Sequence, residues 1–82
     1  MSKVFAPAKA RAFAGRMFDL YEEFADFQQG QTAAWRNATP AWQETPRGEK
    51  CSDFVGALED AAEAFQEAIR TLEDGINQFE DG

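Results

Sequence analysis

The chain has 82 residues, 15 acidic and 8 basic, for a net charge of −7, with one cysteine and no histidine. That length allows one small domain, the lone Cys51 rules out a disulfide framework, and the missing histidine removes the commonest general base and metal ligand. The bases Lys3, Lys9, Arg11 and Arg16 in so acidic a chain make a poor phosphate footprint, which argues against a nucleic-acid partner.

The first predicted element is a helix over about residues 7–37. Pro7 suits its first position, where a missing N–H has no partner to lose. Its apolar seam is Ala10, Phe13, Met17, Leu20, Phe24 and Phe27, weakening through Gln31 and Ala34. Steps of three and four keep these residues on one helix face. Beside the seam runs a second stripe of Ala14, Phe18, Tyr21 and Ala25. Phe18 and Tyr21 are too large to leave exposed without a reason, and a second interface supplies one.

A turn follows over about residues 38–45. Pro40, Trp42, Pro46 and Gly48 stop either seam from crossing as a continuous helix. Thr39-Pro40 and Thr45-Pro46 each read as an N-cap followed by a proline at the first helical position. The first pair starts a short turn carrying Trp42, and the second starts the next helix. Trp35 and Trp42 bracket this region. One is expected to plug the end of the structure and the other to anchor a partner.

The second long helix is predicted over about 46–80. Cys51, Val55, Leu58, Ala62, Phe65, Ile69, Leu72, Ile76 and Phe79 form its seam without a miss, at the heptad spacing that holds one helix against another. Phe54, Ala57, Ala61, Ala64 and Ala68 form a flatter stripe beside it. The expected second interface seats Phe18 and Tyr21 of one copy on this stripe of another, around Phe54 and Ala61. Gly15, Gly30, Gly56 and Gly75 fall inside the helices, each costing roughly 1 kcal/mol relative to alanine. Folding the chain about residue 43 sets Gly30 opposite Gly56, a placement that invites close backbone approach.

Together these elements predict a single all-α domain: an antiparallel two-helix hairpin that pairs into a four-helix-bundle dimer. No stretch alternates in the β manner. A single hairpin seam is a thin core for a chain that pays on the order of 1.5 kcal/mol per ordered residue, so an oligomer or a partner chain is expected to complete it. Charge agrees with the antiparallel arrangement. The first sixteen residues carry only bases, and residues 57–82 carry eight acids against Arg70; a hairpin lays those two ends side by side.

No Glu-x-x-His, Cys-x-x-Cys, Ser-His or Cys-His pattern is present, so no catalytic, cofactor-binding or metal-binding residue is assigned and a non-enzymatic protein is expected. No apolar run has the length of a signal peptide or membrane span. The expectation is a cytoplasmic protein that, if exported, leaves without a cleaved signal.

The hairpin pattern, the acidic chain of under a hundred residues and the tryptophan in the connecting turn resemble the WXG100, or ESAT-6-like, family. The likeness covers nearly the whole chain. The family's turn reads Trp-x-Gly; here Trp42-Gln43-Glu44 stands at that position, with Trp35-Arg36-Asn37 the other candidate, and neither has the glycine. The Tyr-x-x-x-Asp/Glu signal that often follows the family's second helix is not found after Phe79. The resemblance implies an antiparallel homodimer or heterodimer. It also implies a role as partner, adaptor or targeting chaperone of a type VII-like secretion system or its toxin effector. Two other readings compete: an acidic inhibitor or antitoxin covering a basic protein, and a needle-type secretion subunit. Trp42, Trp35, Phe18, Tyr21, Phe54 and Ala61 are the candidate partner-binding residues.

Overall fold

The computed structural model describes residues 4–81, all of whose regular structure is helical. Lys3, counted above among the bases, lies outside them. Helix α1 spans Pro7–Arg36, a single turn α2 spans Pro40–Gln43, and α3 spans Pro46–Asp81. Contacts between α1 and α3 pair the start of one with the end of the other. Arg11 forms an ion pair with Glu80, Phe24 stacks near Phe65, and Trp35 hydrogen-bonds to Gly48. The helices are therefore antiparallel, and the hairpin measures 64 × 18 × 16 Å.

The prolines set the element ends as their chemistry requires. Pro7 opens α1 without any side-chain cap from Ala6. The Thr39 hydroxyl accepts from the Trp42 N–H at 3.3 Å, and the Thr45 hydroxyl accepts from the Gly48 N–H at 3.0 Å. Each satisfies an otherwise orphaned donor of a helix start. The chain reverses with no residue at positive φ among those described.

Gly48 is needed here for space rather than conformation. A Cβ at this position would lie 2.2 Å from the Trp42 carbonyl oxygen and 2.7 Å from that of Gln43. The four mid-helix glycines behave differently. A Cβ on Gly15, Gly30, Gly56 or Gly75 would meet nothing within 4 Å, so none of them brings the two backbones together. The expected close approach at Gly30 and Gly56 is not what the fold uses.

Residues seven apart share one line along each helix of such a pair. On α3 the innermost line is Gly48, Val55, Ala62, Ile69 and Ile76, all buried. On α1 the innermost line is Pro7, Ala14, Tyr21, Gln28 and Trp35; Ala14 is buried, and the other four are half-buried. Only the lines Ala10-Met17-Phe24 and Cys51-Leu58-Phe65-Leu72 of the predicted seams also reach the contact, and those residues are half-buried. The remaining members of the α1 seam, Phe13, Leu20 and Phe27, are 48, 56 and 50% exposed. No large side chain in the described residues is fully buried.

Candidate protein-interaction face

The two long sides of the hairpin differ in chemistry. One side carries Gln28, Gln29, Thr32, Arg36 and Asn37 of α1 with Glu59 of α3 around a shallow depression. Among the described residues Thr32 is the one buried polar side chain. It accepts from Gln28 Nε2 at 2.8 Å and donates to Glu59 Oε2 at 3.4 Å. That chain of hydrogen bonds meets the polar groups' needs where they are withdrawn from water. Further along the same side lie Phe18, Gln66, Arg70 and Glu73.

The other side is apolar from end to end. At the turn, Gln31, Ala34, Trp35, Ala38, Trp42, Cys51, Phe54 and Val55 line a cavity of about 240 Å³. At the open end, a wider hollow of about 490 Å³ is lined by residues that include Phe5, Ala10, Leu72, Gly75, Ile76 and Phe79. Helical phase extends these linings along both helices. Ala34 continues the line of Phe13, Leu20 and Phe27. Phe54 continues that of Ala61, Ala68 and Gly75. Between the two outer lines lie the half-buried Met17, Phe24, Leu58, Phe65 and Leu72. Phe54 and Phe79 are 51% and 56% exposed on this side. So long a run of exposed aromatic and aliphatic surface is the kind that marks an interaction site.

The turn is held rigidly beneath this side. Trp35 Nε1 donates to the Gly48 carbonyl at 3.1 Å. Gln43 Nε2 donates to the carbonyls of Trp35 at 2.8 Å and Ala38 at 3.4 Å. The Thr45 hydroxyl donates to the Trp42 carbonyl at 2.5 Å. Trp35 is thus half-buried and tied down, whereas Trp42, which also lines the cavity, is 38% exposed.

The sequence-predicted residues fall into two groups. Trp35, Trp42 and Phe54 meet at the turn cavity, and the exposed Ala61 follows Phe54 along the apolar side. Phe18 and Tyr21 lie apart from them, lining the polar side. The Tyr21 ring has a place inside the hairpin, edge-on to Phe65 with centroids 5.8 Å apart, an arrangement aromatic pairs favour. The residues that sequence reasoning placed in the intramolecular seam but that stand on the open face are Phe13, Leu20, Phe27 and Phe79. A signal for them existed. The apolar arc of α1 spans three adjacent lines, wider than a single partner helix covers.

Arg16 sits over the Phe13 ring at 5.5 Å, a cation–π contact worth roughly 0.5–1 kcal/mol at an exposed site. Cys51 is a free, half-buried thiol in the turn cavity. Among the described residues no group of three or more His, Cys, Asp or Glu side chains could hold a metal ion, and no helix is long and apolar enough to cross a membrane. Comparison with protein-family models, with curated proteins and with solved structures gives no match to this chain.

Proposed function

We propose that the protein is a non-enzymatic interaction module whose apolar side is completed by a second helical hairpin, giving a four-helix bundle. The observation that carries this is the one-sided character of the hairpin: an apolar surface along its whole length, backed by a hydrogen-bonded polar side. The hairpin geometry and the turn tryptophan are in keeping with the WXG100-like resemblance. On that reading the bundle serves as partner, adaptor or targeting chaperone of a type VII-like secretion system or its toxin, and Trp42 is the anchor available at the turn.

Light scattering on the purified chain across a range of concentrations tests the pairing. The expected mass is twice the 9.2 kDa of one chain, and the double substitution Leu20→Glu with Phe27→Glu reduces it to that of one chain. An unaltered mass after both substitutions overturns the role of this side. Co-expression with the products of adjacent genes tests the adaptor role. Capture of a secretion component or toxin, lost in Trp42→Ala while the dimer persists, supports it. A folded dimer that captures no such product counts against it.

A further inference from the structure

We infer that the occupant of the apolar side is a second copy of this chain rotated about the hairpin's long axis. The two turns then lie at the same end, and α1 of each copy packs on α3 of the other. This rests on the hairpin-pairing reading above and gives it a direction, turn beside turn, that departs from the antiparallel dimer the family resemblance implies.

Side-chain size along the two outer lines supports this direction. The contacts that join Arg11 to Glu80, Phe24 to Phe65 and Trp35 to Gly48 fix which residues stand at one height. At matching heights Phe13 is level with Gly75, Leu20 with Ala68, and Phe27 with Ala61. Ala34 is level with Phe54, and these two line one cavity. Every height therefore carries one large and one small residue. Rotation about the long axis brings the α1 line of one copy onto the α3 line of the other at the same heights, so each large side chain meets a small one. Rotation end for end instead sets the Phe13-Leu20-Phe27 line against itself, and Ala61-Ala68-Gly75 against itself. One flank is then overfilled and the other left with a gap, and close-packed interiors penalise both faults.

Charge adds to this on α1. Lys9 and Arg16 of each copy come to the end that holds Asp74 and Asp81 of the other, while Arg11 and Glu80, on the polar side, stay paired within each chain. End-for-end pairing would bring Lys9 and Arg16 toward Arg36, although it would also bring the α3 acids toward Arg47 and Lys50. Packing therefore decides. The dimensions allow it: a face 64 Å long on a hairpin 18 Å across has room for the roughly 800 Å² per partner that a stable complex covers.

The direction is measured by placing a nitroxide on Glu44→Cys, an exposed turn position, in a Cys51→Ala background, and recording the spin–spin distance. The expected result is a dimer with a distance below about 30 Å, the scale set by helices packed 8–10 Å apart plus the label arms. A dimer with a distance of about 50 Å or more, the length of α3 at 1.5 Å per residue, overturns the direction and leaves the pairing intact. A monomeric mass overturns the pairing itself and assigns the side to a different protein or a membrane surface.

A size swap gives a second readout. Leu20→Ala and Ala68→Leu should each weaken the dimer at least about tenfold, or some 1.4 kcal/mol. The double variant should return to within about threefold of the parent if the two positions face each other. Additive losses in the double variant contradict the inference.

Discussion

Trp35 donates its indole N–H to the carbonyl of Gly48, fastening the last turn of α1 to the first turn of α3. The two tryptophans of the turn therefore have separate duties. Trp35→Phe keeps most of the apolar bulk and removes the donor, so urea unfolding should show a loss of about 1 kcal/mol. Trp35→Ala also opens a gap beneath the turn and should cost about 2 kcal/mol or more. Trp42→Ala should leave the unfolding midpoint close to that of the parent, because the residue is exposed. A larger loss for Trp42→Ala than for Trp35→Ala would reverse these assignments.

The glycines divide in the same experiment. Gly48→Ala forces a methyl into the Trp42 and Gln43 carbonyls, and neither backbone group can yield without opening the turn. A loss of about 2 kcal/mol or more is expected. Gly15→Ala and Gly30→Ala meet open space in helical backbone. Each should stabilise the chain by about 0.5–1 kcal/mol through helix propensity and a less mobile unfolded state. Thermal melts followed by circular dichroism check both signs.

Tyr21 and Phe18 sit three residues apart on α1 and should respond differently. Tyr21→Ser removes the edge-on contact with Phe65 and should lower stability by about 2 kcal/mol. Phe18→Ser, on the polar side, should change it by less than about 1 kcal/mol and leave the mass by light scattering unaltered. A mass shift in Phe18→Ser would show that the polar side also takes part in association.

The Arg11–Glu80 pair joins the basic start of α1 to the acidic end of α3, with both side chains about half exposed. Water and salt screen such a pair strongly. Arg11→Ala should cost less than about 1 kcal/mol, and the small difference from the parent should vanish as salt is raised. Denaturation at low and high ionic strength measures it.

Helix ends were legible in the sequence because proline and threonine act locally. Pro7, Thr39-Pro40 and Thr45-Pro46 mark element starts whatever lies further away, and the structure begins its helices there. The rotation of each helix was less legible. Phe13, Leu20 and Phe27 are bulkier than Ala14, Gln28 and Thr32, so apolar periodicity selects them as the inner line. The fold buries Ala14 and Thr32 instead. A stripe read from a single chain does not tell whether it turns toward that chain's own second helix or away from it. Thr32 was also invisible as a buried residue, because its burial depends on Gln28 and on Glu59, which is 27 positions distant. The spatial role of Gly48 belongs to the same class: it depends on where the Trp42 carbonyl ends up.

The hydrogen-bonded row of Gln28, Thr32 and Glu59 has a bearing on stoichiometry. A subunit with adhesive surface on one flank alone exhausts its valence on the first neighbour it meets. Its other flank, where the Thr32 hydroxyl is already engaged by Gln28 and Glu59, offers a third copy no comparable apolar surface. On the proposed pairing, growth halts at a closed pair, whereas a filament builder must keep a vacancy on each newly added unit.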